Sequence, residues 1–129
     1  MKNRVLLFDG AMGTEIQRHD PKPEDFPKNQ DGFNDGLAIT HPEWIKQIHR
    51  NYLDAGSDCI ETNSFGSNKI KLDEYGFGDQ TVEFNKKIAA LASEVCGEYS
   101  DKPRYVIGSM GPTGYLPSSN DPDLGQKPL

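Results

Sequence analysis

The sequence predicts an α/β fold built on a parallel sheet, and two observations carry that prediction. Three short apolar runs each end in polar or small residues. Leu6-Leu7-Phe8 ends in Asp9-Gly10, Cys59-Ile60 in Glu61-Thr62-Asn63, and Tyr105-Val106-Ile107 in Gly108-Ser109. Between them lie segments whose apolar residues recur at helical spacing. Strands decorated at their C-terminal ends place a working face at one end of a parallel sheet.

The elements follow in order. Residues 4–8 read as a first, buried strand, and residues 12–18 as a short helix. From His19 to Gly36 the chain reads as irregular, punctuated by Pro21, Pro23 and Pro27, with a turn at Asp31-Gly32. A connection of this length is often functional or covers an open barrel end. Thr40 and Glu43 are spaced as a capping box for a helix that starts near Pro42, and Gly56 suits its C-terminal cap. Ile45, Ile48 and Tyr52 share one face of that helix, with Leu53 at the margin. A second strand is expected over 57–62, a short helix near 67–75 that stops at Gly76, and a longer helix over about 80–99. The longer helix carries Val82, Ile88, Leu91, Ala92 and Val95 toward the core, and Glu83 and Lys87 as an i,i+4 pair. Pro103 precedes a third strand from Arg104.

Three β/α units are visible and the third lacks its helix. A closed barrel of eight units takes about 250 residues. The 129 residues are therefore either a small open three-layer α/β domain or the N-terminal portion of a TIM-type (β/α)8 barrel. The tail from Gly111 to Leu129 is rich in Pro and Gly and reads as a loop before a next helix, which favours the barrel.

Composition excludes some functions. There are 14 basic against 20 acidic residues, a net charge of −6, and no basic cluster, so neither nucleic acid nor an anionic membrane is an expected partner. No apolar run is long enough to cross a bilayer, and the N-terminus leads straight into a strand, so a cytoplasmic setting is expected. Cys59 and Cys96 form no metal-ligand pattern and read as packed thiols. His19, His41 and His49 are scattered and read as exposed.

Asp9 either caps the turn that follows it or holds a substrate ammonium group by charge-assisted hydrogen bonds. Gly10, Ala11 and Gly13 either form a tight turn or offer backbone N–H groups to a carboxylate. Glu61, Thr62 and Asn63 form a second polar cluster, in which Glu61 is a general base, an orienting group or a structural hydrogen-bond partner. Ser109 and Thr113 flank a tight turn or a wall of the site, Asn34-Asp35 reads as a loop anchor, and Trp44 and Tyr52 read as packing residues.

At this point the motifs converge. Phe8-Asp9-Gly10-Ala11-Met12-Gly13-Thr14 resembles the opening of the homocysteine methyltransferase domain family. So do Phe33-Asn34-Asp35, the helix from Pro42 to Ala55, the run from Gly56 to Phe65, and the run from Gly108 to Thr113. Tyr75-Gly76-Phe77 and Asn120-Asp121-Pro122 look most like the cobalamin-dependent branch. The resemblance covers the chain in order and implies one partial barrel domain over residues 1–129, truncated after the third strand. It implies that homocysteine is bound, that zinc activates its thiol, and that a methyl group passes to it from methylcobalamin, ultimately from methyltetrahydrofolate, to make methionine. Asp9 would hold the amino group, the Gly10-Ala11 backbone would receive the carboxylate, and Glu61, Thr62 and Asn63 would line the pocket.

The family's three zinc-binding cysteines lie on late strands, and Cys59 and Cys96 do not match them. No residue of this chain is therefore expected to bind metal or cofactor or to be catalytic. The expected partners are homocysteine, the remaining barrel, and cobalamin and folate modules. The isolated chain is expected to be inactive and, with open strand edges, to self-associate. The alternative is a stand-alone α/β module that binds an amino acid without chemistry. A third reading is an aldolase or isomerase using Glu61 as base; the lack of a lysine at a strand end weakens its Schiff-base version.

Overall fold

Cys59, Ile60 and Glu61 form the central strand of the parallel sheet. This strand, β1 (Cys59–Glu61), pairs in parallel with β2 (Tyr105–Ile107), Cys59 opposite Tyr105, Ile60 opposite Val106 and Glu61 opposite Ile107. The computed structural model describes residues 4–115, and over them the chain is an α/β fold. The first apolar run joins the other side of β1 through one parallel bridge, Phe8 opposite Cys59. Asp9 N–H donates to the Cys59 carbonyl at 3.0 Å, and Cys59 N–H to the Leu7 carbonyl at 3.0 Å.

The expected buried strand over 4–8 is thereby corrected. It is reduced to that bridge, and Val5, Leu6, Leu7 and Phe8 are exposed. A parallel strand is buried by neighbours at both edges and cover on both faces; among the described residues this one has a partner only at β1.

Among the described residues the chain forms five α-helices, of which the third and fifth pack on the sheet: α1 (Met12–Gln17), α2 (Leu37–Thr40), α3 (Pro42–Asp54), α4 (Lys69–Glu74) and α5 (Thr81–Gly97). Register puts Ile60 and Val106 on one sheet face, where they meet Leu53 of α3 with Ala92 and Val95 of α5. A larger cluster joins Ile16, Leu37, Ile45, Ile48, Leu72, Phe84 and Ile88 to Phe26 and Phe33 from the long connection. Each such side chain, fully buried, stabilises the fold by about 1.5–3 kcal/mol. Across the outside, Lys46 pairs with Glu94 at 2.8 Å and Arg50 with Glu98 at 2.7 Å, tying α3 to α5.

Several local expectations change. Thr40 does not cap α3; it ends α2, its hydroxyl donates to the Gly36 carbonyl at 3.4 Å, and His41 precedes α3 without a side-chain cap. Pro42 starts α3 without loss because its missing N–H has no helical partner there. Val82 is 66% exposed, and Phe84 takes the core position instead. Glu83 pairs with Lys86 at 3.2 Å rather than with Lys87. The stretch 19–36 holds three single-turn 3-10 helices, Pro23–Asp25, Pro27–Asn29 and Asn34–Gly36, and packs Phe26 and Phe33 inward. Residues 111–115 form no regular element; the rest of the expected tail loop, with Asn120-Asp121-Pro122, lies outside the described residues.

Candidate functional site

The C-terminal ends of the three parallel segments open into a cleft of about 500 Å3. Asp9, Gly10, Ala11, Glu61, Thr62 and Asn63 all line it. Two stretches some fifty residues apart in sequence meet there because the first segment and β1 are neighbours in register.

Asp9 stands half-buried at the wall, and its Oδ2 accepts a hydrogen bond from Glu61 N–H at 2.9 Å. It is not the cap of α1, whose preceding residue is Ala11 and which has no side-chain cap. Burial pushes the Asp9 carboxyl above its ordinary range, against the Glu61 N–H, and the nearby Glu61 carboxylate pushes the same way. A carboxylate so destabilised gains from a cationic partner. Gly10 is glycine for space: a Cβ there would lie 3.0 Å from the Tyr52 hydroxyl oxygen. That hydroxyl donates to the Ala11 carbonyl at 3.2 Å, fastening the start of α1 to α3.

Glu61 is exposed on the cleft side. Thr62 and Asn63 are buried and spend their polar atoms on structure. Thr62 Oγ1 lies 2.7 Å from Ser64 Oγ and accepts from Ser109 N–H at 3.0 Å. Asn63 Nδ2 donates to the Asn34 carbonyl at 3.0 Å. Ser109 reaches the cleft wall from the end of β2.

The structure adds residues that spacing did not assign to the cleft. Asp35, read as a loop anchor, is one, and Lys71 and Tyr75 from around α4 are others. Lys71 Nζ pairs with Glu74 at 2.9 Å, which raises its pKa. Tyr75 stacks on Phe33 at 4.1 Å between ring centres. The available signal was the asparagine that caps α4: Asn68 accepts from Lys71 N–H at 3.1 Å and sets the helix that delivers Lys71 and Tyr75.

Of the histidines, His19 is exposed as expected, His41 is half-buried and His49 is buried. His19 and His41 each stack on the Trp44 ring, at 4.8 and 4.0 Å between centres. His41 Nε2 lies 3.0 Å from Asp25.

No three His, Cys, Asp or Glu side chains stand together as a metal site among the described residues. Cys59 is buried on β1 and Cys96 half-buried on α5, both free thiols pushed up in pKa by burial. The described residues therefore do not fit zinc. No described helix is long and apolar enough to cross a membrane.

Residues 6–128 match the family described as homocysteine S-methyltransferase. The chain is 42% identical over 120 residues to methionine synthase of Mycobacterium tuberculosis and 38% identical over 120 residues to that of Mycobacterium leprae. Each alignment covers 92% of this chain and 10% of the relative, so the chain spans about a tenth of their length. In structure it resembles the homocysteine methyltransferase MmuM from Escherichia coli in its metallated form, with a TM-score of 0.73 and 26% identity. That likeness covers 86% of this chain and 39% of the other. The oxidized form of the same enzyme matches with a TM-score of 0.73.

Proposed function

Because this chain belongs to the homocysteine S-methyltransferase family, we propose that its cleft holds the amino-acid end of homocysteine and that the full polypeptide methylates the homocysteine thiolate to methionine. The observation that carries the reading is the convergence of Asp9, Gly10, Ala11 and Glu61 on one cleft wall. Asp9 takes the ammonium group, the Gly10-Ala11 backbone takes the carboxylate, and Glu61, Thr62 and Asn63 shape the wall. In the reaction a C–S bond forms from the thiolate electron pair, and the bond from the methyl carbon to its donor breaks with its pair left on the donor.

Methylcobalamin, itself recharged from methyltetrahydrofolate, is the donor the resemblance implies. Zinc, if it activates the thiol, takes ligands from outside the described residues. We place the chain in one partial β/α barrel domain, whose other strands and cobalamin and folate modules are its partners in the full protein. The isolated 129 residues are inactive on this reading.

The test is the full-length polypeptide with Asp9→Asn. The amide keeps the shape and removes the charge that faces the ammonium. The KM for homocysteine rises about 30-fold or more, the size of a lost charge-assisted hydrogen bond. An unchanged KM rejects the reading.

A further inference from the structure

The homocysteine reading leaves Asp35 unused, although it is the most buried of the three carboxylates on the cleft wall, at 8% exposure. Residues 66 and 67 converge on it. The Ser67 hydroxyl donates to Oδ2 at 2.6 Å, and Gly66 packs directly against the same carboxylate. Among the described residues it has no ion-pair partner. A buried carboxylate without a cation is costly to keep, so a residue that merely closed a turn would be better uncharged. An ionised acceptor, however, takes a hydrogen bond about twice as strong as a neutral one, and the bond from Ser67 is short.

What Asp35 holds is the loop after β1, residues 62–67, which carries Thr62 and Asn63. The loop is fastened on its other sides too. Asn85 Nδ2 on α5 donates to the Ser67 carbonyl at 2.7 Å. Gly111 N–H donates to the Phe65 carbonyl at 2.8 Å, and the Ser64 hydroxyl to the Ser109 carbonyl at 2.8 Å. The fit is close: a Cβ on Gly66 would lie 3.2 Å from Asp35 Oδ2. Asp35 thus joins the turn at 34–36 to a loop already anchored to α5 and to the end of β2.

We infer that Asp35 is a positioning residue for the cleft, acting through Ser67 and Gly66 to keep Thr62 and Asn63 at the wall. The inference rests on the homocysteine reading above. It is tested in the full-length polypeptide by steady-state kinetics with homocysteine varied, for Asp35→Asn, Ser67→Ala, their double variant and Ser67→Thr. Asp35→Asn and Ser67→Ala each raise KM about tenfold while kcat stays within about twofold. The double variant is no worse than the worse of the two single variants, because both changes act on one link. Ser67→Thr, which keeps the hydroxyl, restores KM, a rescue that does not depend on Asp35→Asn folding well.

The inference is overturned if Asp35→Asn raises KM and Ser67→Ala does not, which means direct contact with substrate. It is equally overturned if neither moves KM, or if their effects add. Asp9→Asn separates the two failures. An unchanged KM there refutes the homocysteine reading, whereas a raised KM there with an unchanged KM in Asp35→Asn refutes the Asp35 inference alone.

Discussion

At the scale of single residues, burial decides which charges the protein tolerates. His49 is 0% exposed on α3, and neither ring nitrogen has a hydrogen-bond partner among the described residues. Burial holds its pKa down, from 6.5 to about 4. The folded form therefore refuses a proton that the unfolded chain accepts, so the stability is complete above pH 6.5 and is lost as the pH falls toward 4. The drop amounts to about 3 kcal/mol. Urea unfolding between pH 7 and 4 should show this loss, and His49→Leu should remove it without lowering stability at pH 7, since no hydrogen bond is broken. A variant with the parent's acid slope over that range would contradict this account. Asp58 acts lower: the Lys102 ammonium at 2.8 Å, the Leu7 N–H and Arg4 hold its pKa near about 2, so its share is present above pH 4 and lost below. Asp9 runs the other way. If Asp9 holds the substrate ammonium as proposed, its raised pKa should make the full-length protein's homocysteine KM climb with falling pH sooner than an ordinary aspartate would, and Asp9→Asn should flatten that climb.

At the scale of elements, two glycines end two helices by the same geometry. After α3, Gly56 has φ +108°, with Gly56 N–H to the Leu53 carbonyl at 3.0 Å and Ser57 N–H to the Tyr52 carbonyl at 3.1 Å. After α4, Gly76 has φ +71°, with Gly76 N–H to the Asp73 carbonyl at 3.0 Å and Phe77 N–H to the Leu72 carbonyl at 2.8 Å. This paired 6→1 and 5→2 closure needs a left-handed residue. Gly56→Ala should cost about 1–2 kcal/mol by chemical denaturation. Gly97, at the end of α5, has no positive φ and open space at its Cβ position. Gly97→Ala should therefore be neutral or stabilise by up to about 1 kcal/mol. Equal losses at the two sites would mean that φ is not what selects glycine at 56.

At the scale of the whole molecule, the sheet is half clothed. Register lines up Phe8, Cys59 and Tyr105, and next to them Glu61 and Ile107, on the face opposite the helices. Phe8, Tyr105 and Ile107 are exposed there, with Phe65 and Met110 at the strand ends. Among the described residues the outer edges of the first segment and of β2 are unpaired. Open parallel edges beside apolar surface invite pairing with another chain. The isolated 129-residue polypeptide is therefore expected to elute and scatter light as an oligomer, with a broad melting transition. A monodisperse monomer with a sharp melt would refute that expectation.

The cleft-lining residues Asp9, Gly10, Ala11, Glu61, Thr62 and Asn63 were legible because a strand's end is marked locally, by an apolar run that stops at a carboxylate or at small residues. The stops after α3 and α4 were legible for the same reason, since Gly56 and Gly76 both answer to a local, positive φ. Tertiary structure decided what depends on distant partners. It put Phe84 rather than Val82 in the core, because periodicity along α5 gives the spacing of a face but not its direction. It buried His49 for the same reason. It left Val5, Leu6, Leu7 and Phe8 exposed, because apolar character announces a strand but not the neighbours that cover it. It brought Asp35 to the cleft, because a hydrogen bond between residues 35 and 67 exists only once the loop after β1 has folded back onto the turn at 34–36.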